Sequence, residues 1–213
     1  FDEKILIINS KLDDWNIKVF ANQVNNFKPI KSRIDNNLLT SLLTIKDSNM
    51  KNLKIHVEGG QHEDSLNIIS SIGSIGKINI KNSFQDAIDF DFSDLKVDEI
   101  NVKNSGNDCI DTSRGKYFIR KINLDGCKDK GVSVGEESHL KVLDAEIKKT
   151  NIALVSKDFS KLTVDNGYLE NNSLCAAAYN KKQEFGPSYI AIPTKLCAKD
   201  ELAIQNNSIL EKK

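Results

Sequence analysis

Read at intervals of 22 residues, the middle of this chain aligns with itself, and short β-branched runs recurring at that period fold as a solenoid in which equivalent residues stack. The rungs are Asp64-Ser-Leu-Asn-Ile-Ile, Asp86-Ala-Ile-Asp-Phe-Asp, Asp108-Cys-Ile-Asp-Thr-Ser, Lys130-Gly-Val-Ser-Val-Gly, Ile152-Ala-Leu-Val-Ser-Lys and Leu174-Cys-Ala-Ala-Ala-Tyr. Their third positions, Leu66, Ile88, Ile110, Val132, Leu154 and Ala176, form an apolar column that belongs in the core. The positions two further on (Ile68, Phe90, Thr112, Val134, Ser156, Ala178) share that face by the period-2 rule, so Thr112 and Ser156 need internal hydrogen-bond partners. The alternate column, Asn67, Asp89, Asp111, Ser133, Val155 and Ala177, should face outward, with Asp91, Ser113, Gly135, Lys157 and Tyr179 beside it. Asn82-Ser83 and Asn104-Ser105 precede rungs, and Asn tolerates the left-handed conformation of a sharp corner.

A coil of this size with short strands predicts an all-β fold, a right-handed parallel β-helix with about 22 residues per coil. Ankyrin and tetratricopeptide units need about 33–34 residues and helical periodicity, and the leucine-rich pattern is not reproduced from rung to rung. The 213 residues, 39% of them hydrophobic, suit one domain in three stretches: irregular first coils or a cap over 1–42, the regular solenoid over 43–179, and a loop, last coil and polar tail over 180–213. Trp15 lies outside the repeat, where a core position in the end cap is expected.

Thirty basic and thirty acidic residues cancel, so no global field draws nucleic acid, and the absence of a long apolar run predicts no membrane insertion. Phe1 in place of Met, with no secretion segment before it, reads as a mature product or an excised stretch. The cysteines make no C-x-x-C zinc pattern. Cys109 and Cys175 lie three rungs apart, roughly 14 Å, too far to bridge. Cys175 and Cys197 would be neighbours if the register continued, but Asn180-Lys-Lys-Gln-Glu-Phe-Gly-Pro187 reads as an inserted loop that breaks it, which argues against that disulfide.

Stacked carboxylates are the strongest chemical signal. Charges about 4.8 Å apart repel by roughly 1 kcal/mol in water and by several times that where shielded, so the columns holding Asp64, Asp86, Asp108 and Asp89, Asp111 call for compensation. Three readings stand open: the carboxylates are turn formers that accept N–H groups at the corner, they bind Ca²⁺, or they work as a metal-free acid–base site. Lys130 continues the first column and is either an ion-pair partner or a functional cation. Lys157, Tyr179, Lys181 and Lys182 lie near the end of the strip and offer cations and an aromatic platform to an anionic glycan, or are plain surface. Asp89 and Asp111 could face each other as the acid and base of a retaining glycosidase. Ser133 lacks a nearby His, and Gly131 and Gly135 are read as permitting tight backbone approach.

The rungs resemble right-handed parallel β-helix proteins of the pectate-lyase-like group, and more closely bacterial β-helix proteins with strings such as Asp129-Lys-Gly-Val-Ser-Val-Gly-Glu136, Ser156-Lys-Asp158 and Ala178-Tyr-Asn-Lys-Lys-Gln-Glu-Phe185. The resemblance covers roughly residues 43–192 and implies the fold and an extracellular or cell-envelope setting. The wider group contains polysaccharide lyases, epimerases, glycoside hydrolases and non-catalytic adhesins, and fold cannot choose among them. In its lyases, acidic residues hold Ca²⁺ against a uronate and a Lys or Arg removes the neighbouring proton. That resemblance gives Lys130 and Asp111 a catalytic role, and Asp64, Asp86, Asp89, Asp108 and Asp111 a metal. Neither the Gly-His-Gly element of the polygalacturonases nor the Asp-Pro-His-Asp motif of the epimerases occurs. The expected function is therefore a non-catalytic carbohydrate-recognising module, with a Ca²⁺-assisted lyase as the alternative.

Overall fold

The computed structural model describes residues 4–21, 38–205 and 207–213; of the N-terminal stretch 1–42, residues 1–3 and 22–37 lie outside that set. The chain winds as a parallel β-solenoid of about eight turns. Every strand pairing is parallel, and successive partners lie about 22 residues apart. Ile88 is in register with Ile110, Ile110 with Val132, Val132 with Leu154, and Leu154 with Ala176. All five are fully buried. Burial of each Ile, Val or Leu in the column contributes on the order of 2 kcal/mol. The first coil joins the same ladder, with Ile5 opposite Leu43 and Ile17 opposite Ile55.

Each coil passes through three paired stretches. In the coil that begins at Asp86 a single strand, Asp86–Ser105, covers all three. The first corner is a column of left-handed residues, Asp47, Ser70, Phe92, Arg114, Glu136 and Asp158, and another contains Asn82 and Asn104 with Gly126. The asparagines expected at corners thus adopt the left-handed conformation, and Asn104 Nδ2 also donates to Asn82 Oδ1 at 3.0 Å.

Behind the first corner runs a buried hydroxyl ladder. Ser48 N donates to Ser71 Oγ and Ser71 N to Ser93 Oγ, both at 3.0 Å. Gly115 offers no hydroxyl in the next coil, and the Tyr117 phenol oxygen accepts from Ser93 N at 3.3 Å instead. Burial of the phenol holds its pKa well above the ordinary value. Within the core, Ser156 Oγ meets Ser160 Oγ at 2.9 Å. Thr112 Oγ1 finds no partner among the described residues, so the expectation of internal partners is met at one of the two positions.

Two disulfides close the chain, Cys109–Cys127 and Cys175–Cys197, with Cα separations of 5.5 and 5.7 Å. The second forms despite the inserted loop, contrary to the expectation from sequence. The loop does shift the ladder, for Ala176 pairs with Leu202 rather than with residue 198, but the segment before the short 3-10 turn Lys199–Glu201 returns to Cys175. Leu196 O lies 3.7 Å from Cys175 Sγ. Cys109–Cys127 joins the two ends of one coil across the corner at Gly126, a contact that column alignment does not reveal. Trp15 is 55% exposed at a corner of the first coil, not buried in a cap.

Candidate functional site

The strip that the rungs point to is real but mostly closed. Asn67, Ser133, Val155 and Ala177, expected to face outward, are buried, while Asp89 and Asp111 are partly so. Long neighbours fold back over the column. Lys157 is 7% exposed; its ammonium lies 2.8 Å from Ser133 Oγ and 3.4 Å from Asp111 Oδ1, two coils back. Gly135 makes that path possible, since a Cβ there would stand 2.6 Å from Lys157 Cε. At Gly131 the reason is backbone approach, as a Cβ would meet Ala153 O at 2.6 Å.

The first acidic column does structural work of a definite kind. Asp86 Oδ1 accepts Asp108 N at 2.8 Å and Asn107 Nδ2 at 2.7 Å, and Asp108 Oδ1 accepts Lys130 N at 3.0 Å. Asp86 and Asp108 therefore each cap the amide one coil later, as in the turn-former reading, while the amide of Asp86 goes to Glu63 O at 2.8 Å and not to Asp64. Lys130 Nζ lies 3.2 Å from Asp108 Oδ1 and is also bonded to Asp129. Burial alone would lower the pKa of Lys130, but Asp108 and Asp129 outweigh it and hold the ammonium well above its ordinary value. This is the reverse of what a proton-abstracting base needs. Burial and the neighbouring positive charges of Lys157 and Lys130 act in opposite senses on the Tyr179 phenol, and burial prevails, raising it.

At the acidic end burial dominates. It pushes Asp64 up to about 7, with Asp86, Glu63 and Asp91 adding to the effect against a hydrogen bond from Thr40. It pushes Asp86 up to about 6, and Asp89 well above the usual carboxylate range, helped by Asp91, Asp64, Asp111 and Asp86. Asp108 is raised by burial despite Lys130. Asn67 stands in register with Asp89 and gives its Nδ2 to Asp91 Oδ2 at 3.2 Å. Asn67 Oδ1 and Asp89 Oδ1 are buried acceptors without a donor among the described residues. Their donor set is the hard-oxygen type that Ca²⁺ takes. Among the described residues no group of three or more acidic, His or Cys side chains is drawn together closely enough to hold a metal ion.

The residues assigned to ligand contact divide. Lys182 is bound to Glu136, and the amides of Lys181 and Lys182 cap Asp158 Oδ1 at 2.6 and 2.8 Å. Lys181 is exposed and Tyr179 half-buried. Lys130, Lys157 and Lys182 are each paired with a carboxylate, and Lys181 is the exposed cation beside them.

Open polar surface lies instead on the third stretch of the coils. His56, Asn79, Asn101 and Asn123 succeed one another in register, and Glu146 follows. The amides form a ladder: Asn123 Nδ2 donates to Asn101 Oδ1 at 2.7 Å and Asn101 Nδ2 to Asn79 Oδ1 at 2.9 Å. Lys81 and Lys103 flank the ladder, make no ion pair among the described residues, and help wall a groove of about 440 Å³. The signal for this site is the same 22-residue spacing carried past the rungs, to 79, 101 and 123. Compared with known proteins, the chain matches no family model, no curated protein and no solved structure.

Proposed function

We propose that this chain is a carbohydrate-recognising β-solenoid module, non-catalytic, and that sugar binds along the amide groove. The asparagine ladder carries the reading. Asn101 commits both Nδ2 hydrogens, to Asn79 Oδ1 and to Glu99 Oε1 at 2.9 Å, and so fixes the row, while the outer ends of the ladder, Asn79 Nδ2 and Asn123 Oδ1, and the second lone pairs of the amide oxygens, about 4.8 Å apart from coil to coil, can meet the hydroxyls of a sugar ring. Such a surface suits an extended polymer. The exposed phenyl ring of Tyr168, in register with Glu146 and with Lys148 Nζ 5.4 Å from its centre, adds a platform for a sugar face. The bacterial surface setting implied by the sequence resemblance is in keeping with this role, and the two disulfides fit an oxidising compartment.

A lyase is the weaker alternative, because Lys130 is clamped as an ammonium between Asp108 and Asp129. Ca²⁺ at the acidic end is a second reading favoured by one observation, the two donorless oxygens of Asn67 and Asp89. In that reading Asp64, Asp86 and Asp91 would supply the remaining charge, and the ion would relieve repulsion within the strip.

The test is calorimetry with a panel of neutral linear oligosaccharides against wild type and Asn101→Ala. Removal of the central amide breaks both rungs of the ladder and should weaken binding by about tenfold or more. Equal affinity in the two proteins sinks the amide-groove reading. An unsaturated product from any uronate polymer, lost in Lys130→Ala, would establish the lyase.

A further inference from the structure

A second groove, on the middle stretch of the coils and away from the amide ladder, has a different chemistry. Two exposed columns wall it. In one, Lys96, Phe118 and Lys141 are successive register partners; in the other, Lys116, His139 and Lys161 are. Between them Leu95, Tyr117 and Leu140 are buried and form the floor of a cavity of about 720 Å³. The Phe118 ring is 38% exposed although it sits among cations.

Four lysines thus face one lining acid, Asp94, whose Oδ1 is engaged by Lys116 N at 2.9 Å. Asp165 pairs with Lys141 at 2.9 Å, and Lys161 Nζ lies 4.8 Å from the centre of the Tyr189 ring. Lys96 and Lys116 have no acidic partner among the described residues. A chain with zero formal charge therefore concentrates unneutralised positive charge along one groove, which attracts an anion whatever the net charge.

Spacing and composition narrow the ligand. Lysines recur every second coil in both columns, roughly 9–10 Å apart at the strand spacing. That is about the length of a disaccharide. One aromatic ring lies between two lysines of its own column, where a single sugar face would stack. Single-stranded nucleic acid asks for successive aromatic platforms, one per base, and Phe118 has none beside it. The cations are lysines, which act as point charges toward tetrahedral oxyanions, and the groove lacks the planar fork of arginine that suits carboxylates.

We infer that the groove walled by Lys96, Phe118, Lys141, Lys116 and Lys161 binds a glycan chain bearing sulfate or phosphate esters. This goes beyond recognition at the amide ladder and does not depend on it, because the two grooves share no residue.

Fluorescence anisotropy with labelled dextran sulfate, phosphomannan, unmodified dextran, polygalacturonate and charge-matched single-stranded DNA tests the inference. Dextran sulfate or phosphomannan should bind most tightly, with affinity falling as salt rises, and the preference between the two identifies the ester. The double variant Lys96→Ala/Lys116→Ala should lose about tenfold or more. Phe118→Ala should lose affinity severalfold with an unchanged salt dependence. These side chains are exposed, so melting curves should match wild type, and Asn101→Ala should bind the charged glycans normally. Tighter binding of DNA or polygalacturonate, equal binding by the lysine double variant, or no binding at low salt would overturn the inference.

Discussion

Asp89 is the residue where burial and charge conflict most. Burial and four neighbouring aspartates raise its pKa, and among the described residues neither its Oδ1 nor the Oδ1 of the facing Asn67 has a donor. A proton on Asp89 removes the buried charge and turns the carboxyl into a donor. The sign follows from linkage: a carboxyl whose folded pKa lies above its unfolded value holds more protons when folded, so stability falls as pH rises between the two values. Asp64, raised from 3.8 to about 7, and Asp86, raised from 3.8 to about 6, place that window between about pH 4 and pH 7. We predict a melting temperature several degrees higher at pH 5 than at pH 7.5, a smaller difference in Asp89→Asn, and a higher melting temperature for that variant than for wild type at pH 7.5. Thermal denaturation across the pH range checks this, and a curve rising with pH contradicts it. The same melts report on Ca²⁺: if the ion binds the native strip, millimolar amounts raise the melting temperature at pH 7.5 by mass action, and chelator removes the gain.

Among the elements, the inward columns are the most constrained. Ile110 is fully buried between Ile88 and Val132, so Ile110→Asp removes a packed side chain and buries a carboxyl without a partner, a cost of several kcal/mol set against the roughly 5–15 kcal/mol that hold a domain together. The variant should yield no folded protein by circular dichroism; a soluble, fully β-structured Ile110→Asp would refute the register. This layer was legible in the sequence because a period of 22 superposes residues that pack on one another, and the same logic found the left-handed corners at Asn82 and Asn104. The outer column was misread for a physical reason. Alternation says which side a residue faces, whereas burial depends on what long side chains do afterwards, and Lys157 lies back across Gly135 to cover Ser133 and reach Asp111. The Cys109–Cys127 bridge spans the ends of one coil rather than one column, so the alignment that revealed the core could not reveal it.

At the scale of the whole molecule, stacking makes each outward stretch a continuous surface, and the three stretches of the coil differ in chemistry. The first holds internally paired carboxylates and lysines, the second an aromatic-and-lysine groove, the third an asparagine ladder. The carboxylates of the first stretch are the most conspicuous chemistry in the repeat, yet Asp86 and Asp108 among them cap amides of the next coil. The open faces carry the same period in less conspicuous residues, and which of them is open follows from side-chain packing rather than from order in the chain. The placement of sugar on the third stretch is tested most directly by titrating isotope-labelled protein with a neutral oligosaccharide and following the side-chain amide resonances by nuclear magnetic resonance. The account predicts shifts concentrated at Asn79, Asn101 and Asn123; shifts confined to the Asp89, Asp111 and Lys157 strip, or none at saturating sugar, would contradict it.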